Sequence, residues 1–410
     1  MLINRAIQIG TPRAWNWRAP NRAVQVRENP FLDSYLDERF ELELTMDRVR
    51  RHQRATGRLP DKRGSDPSIQ RLYAFVAMLG EVFPRLSAGA QNALAGRVRG
   101  GLTDDIGVES IAFEMLIGSH LLTMGFDIEW HDLEHDGGYD LLITKDGLEA
   151  EVECKTFSGD IGRQIHKRRL FELGGLINES VSGAFRRTGS TSIEVKIPSR
   201  LNGGDIPMIA EQVKQALEAG SDFAGPQPCE IIIRPLEIDG SPFNQDGFPP
   251  NIDQDIVQEF VHERFGYHNP QVLLQMHAKR AVMLVILQSR LQDTVVDSIY
   301  RQLKKGARQF SGGRPAILCA HMLDMSASQL LELEKAPTPS NLDKIATDLL
   351  RAPHRGFLHT VTFSVPGIVQ YRREREGRIV RNHRREMGPI YTVQSPDHPL
   401  KDDRRLQIFS

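Results

Sequence analysis

The apolar positions of this chain change period several times, and its elements follow from those changes. Between residues 138 and 157 they alternate, as Tyr139, Leu141 and Ile143, then as Leu148, Ala150, Val152 and Cys154 beyond Asp146-Gly147. Such alternation marks half-buried strands, and Asp-Gly between two runs signals a two-residue hairpin turn, because both central residues take positive φ. Residues 138–145 and 148–157 are expected to form one β-hairpin. Upstream, Val108, Ile111, Ala112, Met115, Ser119 and Leu122 recur at helical spacing, which predicts a helix through Met124 that ends at Gly125-Phe126. Asp127 to His131 reads as the first strand, and residues 131–138, rich in metal-capable side chains but without a fixed spacing, as a polar connection, the other reading being a ligand set.

Helical patterns precede this region from Asp37, at Ile69–Phe83 and at Ala88–Val98, with Gly100-Gly101 as the stop. Residues 1–34 hold three prolines and little periodicity, and read as an extended arm whose Trp15 and Trp17 either dock on a core or stack on bases. After the hairpin, Asp160 is the expected N-cap of a helix from Ile161. Thr191–Pro198 reads as the next strand of the same sheet, with Glu194 and Lys196 as a solvent-facing ion pair. Further on, helices at Ile206–Ala219, 252–265, Leu291–Phe310, 326–335 and 339–351 alternate with strands at Cys229–Arg234, Arg280–Leu287 and Ala316–His321. Residues 239–251 form a loop, and residues 367–386 a hairpin turning at Glu376-Gly377. The fold class is α/β, a mixed sheet flanked by helices. Residues 1–102 form an N-terminal arm and helical region and residues 103–200 the core, while 201–410 form a C-terminal α/β region that either continues the core sheet or makes a separate lobe.

The hairpin register places candidate chemistry. Partners equidistant from the turn set Asp140 against Glu153, with Cβ atoms ~4.5–5.5 Å apart, and Lys155, two residues on, shares the face of Glu153. Two carboxylates so close repel unless a cation lies between them. Magnesium suits such oxygen ligands, is commonly shared with phosphate, and lowers the pKa of a bound water. Lys155 would orient that water or stabilise charge developing on the phosphate. The set suits phosphodiester hydrolysis.

Asp140 followed by Glu153-Cys154-Lys155 resembles the acid and (D/E)xK motifs of the PD-(D/E)xK nuclease superfamily, and Glu114, eleven residues before Gly125-Phe126, resembles the further Glu on the helix ahead of the hairpin in many members. Here Gly138-Tyr139, rather than proline, precedes the acid. The resemblance covers about residues 105–180. It implies a restriction-endonuclease-like αβββαβ core and a magnesium- or manganese-dependent deoxyribonuclease in restriction or phage defence. Metal ligands would be Glu114, Asp140, Glu153 and the main-chain carbonyl of Cys154, and the catalytic residues Asp140, Glu153 and Lys155. The alternative is a catalytically silent nuclease-fold module that binds nucleic acid or protein. From the residues alone, Glu114 is either drawn to the metal site or is a carboxylate on a helix flank.

Charge narrows the partner. With 52 Lys+Arg against 53 Asp+Glu over 410 residues, any nucleic-acid surface must be local. Arg163, His166, Lys167 and Arg168, with Arg169, follow the hairpin directly and are expected to contact DNA phosphates, the other reading being a solvated helix face. The three cysteines, Cys154, Cys229 and Cys319, lack metal-ligand spacing and read as free buried thiols. Neither a signal peptide nor a membrane span is evident, so a soluble, cytoplasmic protein is expected, acting alone, as a homo-oligomer or with a partner protein. No phosphate-binding Gly-rich loop is present, which argues against an ATP-driven nuclease in one chain.

Overall fold

The computed structural model describes residues 2–61, 66–104, 107–135, 137–188, 190–219, 229–237, 254–267, 270–277, 281–323, 325, 330, 333, 342–366, 369–375, 378–384 and 390–408. The chain divides into two units, one of Met1–Ala23, Leu36–Ile161 and Val296–Ser410, the other of Val24–Tyr35 and Gly162–Val295. In chain order the strands are β1 (Asp127–Glu129), β2 (Leu141–Lys145), β3 (Leu148–Ser158), β4 (Thr191–Ile197), β5 (Glu230–Pro235), β6 (Gln271–His277), β7 (Ala281–Ser289), β8 (Ala316–Leu323), β9 (Leu358–Ser364), β10 (Val369–Arg375), β11 (Arg378–Arg384) and β12 (Ile390–Gln394). The class is α/β, with two mixed sheets flanked by helices.

The first unit is built on a six-stranded sheet ordered β1-β2-β3-β8-β9-β12. Neighbours β1–β2, β2–β3 and β9–β12 run antiparallel, β3–β8 and β8–β9 parallel. The hairpin forms in the expected register, Leu141 opposite Val152 and Lys145 opposite Leu148. Its turn carries positive φ at both central residues, 48° at Asp146 and 76° at Gly147. Leu141, Ile143, Ala150, Val152 and Cys154 join Ile317 and Cys319 of β8 in one core with the N-terminal helices. Each Leu or Val buried there contributes roughly 1.5–3 kcal/mol.

Four helices cover this core, Glu41–Thr56, Pro67–Val82, Ala88–Thr103 and Glu109–Thr123. The last is buried on several sides, and an added Cβ at Gly118 would come 2.6 Å from the Trp130 ring, so glycine lets the helix approach that closely. Two expectations fail nearby. Residues 1–34 are not an extended arm but carry helices Leu2–Gly10, Pro12–Trp15, Arg18–Glu28 and the start of Leu32–Arg39. The cause is apolar docking, since Trp15 is buried in the core with its indole N–H on the Ala6 carbonyl at 3.0 Å, while Trp17 stays exposed. Nor do Gly100 and Gly101 stop their helix, which runs on to Thr103. A Cβ at Gly101 would meet the Gly107 carbonyl oxygen at 2.8 Å, so the glycine serves close packing.

In the second unit the sheet order is β5-β4-β7-β6. Ile193, Val195 and Ile197 face a core shared with the helices Lys167–Thr188 and Ile206–Ala219, while Val282, Leu284 and Ile286 of β7 pack with Val257 and Val261 of the helix Gln254–Phe265. β4 is therefore not the next strand of the hairpin sheet. Glu194 is not solvent-facing either: it is buried and accepts a short hydrogen bond from the Tyr267 hydroxyl, with Arg234 at 3.8 Å. The helix expected from Ile161 starts at Lys167, with turns and bends before it.

After β3 the chain builds the second unit, then returns through the helix Val295–Gly306 to β8, parallel to β3. β7 and β8 thus belong to different sheets. β10 and β11 pair with Arg375 opposite Arg378. The Glu376-Gly377 turn itself lies outside the described residues, as do the 239–251 loop and most of the helix expected at 326–335. Among the described residues, no helix is long and apolar enough to cross a membrane.

Candidate active site

Asp140 stands immediately before β2, and the hairpin register continued by one residue sets it against Glu153. Its side chain is buried and accepts the Cys154 backbone N–H through Oδ2 at 2.6 Å, while its own carbonyl accepts the His131 N–H at 2.9 Å. Burial raises the Asp140 pKa above the usual carboxylate range, and the Cys154 N–H works against that rise.

Glu153 is fully buried on β3, and the Lys155 ammonium pairs with its Oε1. Among the described residues, Glu153 Oε2 has no hydrogen-bond partner. Burial first, then the negative charge of Asp140, push the Glu153 pKa upward. Lys155 lies over Gly306, whose added Cβ would come within 3.2 Å of the lysine stem, so the end of the returning helix supports the amine.

Glu114, on the helix Glu109–Thr123, is buried and not merely on a flank. One oxygen each of Glu114, Asp132 and Asp140 lies within 4.8 Å of the others. Asp132 comes from the short helix His131–Glu134, in the segment read as a polar connection with a ligand set as the alternative. Its neighbours offered metal-capable side chains, but only the folded path brings Asp132 to Asp140. Arg97 was also missed. Its guanidinium holds both Glu114 oxygens at 2.6 Å and Asp132 Oδ2 at 2.6 Å. Even so, burial and the charge of Asp140 raise the Glu114 pKa.

Glu114, Asp132 and Asp140 thus come together with Arg97, and Glu153, paired with Lys155, lies outside that trio but near enough for the charge of Asp140 to act on it. The donors are all hard oxygens, and among the described residues Asp132 Oδ1 and Glu153 Oε2 are buried without a hydrogen-bond partner, which fits a divalent ion of the magnesium class. Cys154 takes part through its backbone, since its thiol is buried in the core; all three cysteines are free and buried.

The basic residues expected to meet DNA belong to the second unit, and four of them show partners within it. Arg163 is buried and 4.0 Å from Asp293, so it does not sit exposed in a helical turn. His166 Nε2 lies 3.0 Å from Arg200, and Arg168 and Arg169 both pair with Glu172, at 3.1 and 2.6 Å. Lys167 opens the helix. Compared with known proteins, the chain matches no family model, no curated protein and no solved structure.

Proposed function

We propose that this chain is a metal-dependent nuclease that hydrolyses DNA phosphodiester bonds, with Asp140, Glu153 and Lys155 at its centre. The observation that carries the proposal is the buried acid group of Glu114, Asp132 and Asp140 at the head of a hairpin whose register, continued by one residue, sets Asp140 against Glu153, with Lys155 paired to Glu153. Glu114, Asp140 and Glu153 would hold magnesium or manganese, with Asp132 and the Cys154 carbonyl as further oxygen donors. The bound ion supplies an acidified water and neutralises charge on the phosphate. The protein's own part is positioning. The Cys154 N–H fixes one Asp140 oxygen. Lys155, steadied by Glu153 and the glycine beneath its stem, offers its ammonium to charge developing on the phosphate oxygens.

The order of helix, β1, β2, β3, helix and parallel β8 supports a restriction-endonuclease-like αβββαβ core in which residues 162–295 are an insertion. Restriction or phage defence is the setting proposed. The test is incubation with plasmid, linear duplex and single-stranded DNA in magnesium or manganese, beside Lys155→Ala. Cleavage by the parent chain alone is expected. No cleavage of any substrate, or equal cleavage by the variant, sinks the proposal.

A second reading rests on Arg97. Because its guanidinium already answers Glu114 and Asp132, the acid group is partly neutralised without a metal, as a silent binding module would require. Such a module would bind DNA equally with and without the divalent ion and leave it intact.

A further inference from the structure

A second side-chain group lies outside the acid cluster. Glu129 ends β1, His131 opens the short helix that follows, and His135 ends it. One oxygen, Glu129 Oε1, lies 2.9 Å from His135 Nε2 and 3.3 Å from His131 Nδ1, and one ligand atom from each of the three residues falls within 4.8 Å of the others. These separations suit a shared ion. With metal–ligand bonds of ~2.0–2.1 Å, the edge of a tetrahedral site is about 3.3 Å.

The donors are preorganised. The His131 ring stacks on Tyr139 at 4.2 Å with planes 10° apart. Behind it stands Gly138, at φ 102°, where an added Cβ would come 3.3 Å from His131 Cδ2. The Gly138 carbonyl is held by the Gln309 side-chain amide at 3.0 Å. Glu129 and His135 are exposed while His131 is half-buried, which leaves solvent positions open beside the three donors.

We propose that Glu129, His131 and His135 form a transition-metal site of the zinc class, completed by water. Two imidazoles and one carboxylate are borderline donors that suit zinc, cobalt or nickel, and differ from the all-oxygen set around Asp140. The ion would clamp the helix His131–Glu134 from its outer side, and that helix presents Asp132 to the acid cluster. The site stands on residues separate from Asp140, Glu153 and Lys155, and holds whether or not the chain cleaves DNA.

The test is titration of the full chain with cobalt(II), followed by its visible d–d absorption, and then displacement by zinc. One equivalent is expected to bind at this site. His135→Ala and Glu129→Gln should each weaken it by at least the roughly 10- to 100-fold seen when metal-site supports are removed. Asp140→Asn should keep it. His135 is exposed, so its variant is expected to melt as the parent does. Absence of the d–d band, a band unchanged in His135→Ala, or a band lost in Asp140→Asn overturns the proposal.

Discussion

Glu151 and Glu153 lie two residues apart on β3, both completely buried, and only Glu151 is answered on both oxygens. Glu151 accepts the Ser311 N–H at 2.8 Å, a short hydrogen bond from the Ser311 hydroxyl and a contact from Arg314 at 3.4 Å. Glu153 has Lys155 on one oxygen and no hydrogen-bond partner on the other among the described residues. Leaving a carboxylate oxygen buried in this way costs stability, which a ligand at the site would recover.

The two glutamates should therefore respond unequally to the same change. Glu151→Gln loses charge-assisted hydrogen bonds and should destabilise the chain by about 2–4 kcal/mol. Glu153→Gln removes the charge from a buried oxygen that has no partner but also gives up the Lys155 pair, so in metal-free buffer it should cost less than Glu151→Gln. Thermal denaturation of both variants beside the parent decides this; equal losses would contradict the assignment.

Arg97 is the cation that holds Glu114 and Asp132 in the absence of metal. Arg97→Ala should cost about 3–5 kcal/mol, the range for a buried pair that loses one partner. Magnesium should then stabilise the variant more than the parent, because binding to the folded state adds to stability. Melting curves with and without magnesium measure both effects. A variant indifferent to magnesium would count against a metal site there.

Glu43 offers a pH test away from the site. It is buried, accepts the Val108 N–H through Oε1 at 3.2 Å, and has no hydrogen-bond partner on Oε2 among the described residues. Burial, aided by the charge of Glu109, pushes its pKa up from 4.5 to about 7, which corresponds to roughly 3 kcal/mol. At low pH both folded and unfolded chains are protonated there. As pH rises past the ordinary carboxylate range, the unfolded chain ionises first, so stability falls until about pH 7. Glu43→Gln should raise the melting temperature at pH ~8 and change it little at pH ~4, the two sides of that window. An equal shift at both pH values would refute it.

Gly100 and Gly101 are adjacent in one helix and should differ in sign. Nothing lies within 4 Å of an added Cβ at Gly100, so Gly100→Ala should stabilise by about 0.5–1 kcal/mol through helix propensity. At Gly101 the Gly107 carbonyl blocks the methyl at 2.8 Å, and Gly101→Ala should destabilise by about 1–3 kcal/mol. Chemical denaturation of the pair checks both signs.

What the chain reveals before folding is local. Asp146-Gly147 and its flanking alternation define the hairpin, because turn geometry and pleat period are short-range properties. The residues that complete the acid group come from elsewhere, Arg97 from a neighbouring helix and Asp132 from a turn with no regular period. The return to β8 after residues 162–295 has no local marker at all, since parallel pairing is recorded in neither strand alone. β9 goes unread although its residues are largely β-branched or aromatic, while Trp15 follows the docking reading of the tryptophans even though the segment around it is helical and not extended.

The central claim is that a divalent ion binds between Asp140 and Glu153. A crystal of the full chain soaked in manganese, with anomalous scattering recorded near the manganese edge, tests it directly. The account predicts a peak contacted by Asp140 and Glu153, with Arg97 drawn away from Glu114 or sharing it. No peak there, with Arg97 still on both Glu114 oxygens, would contradict it.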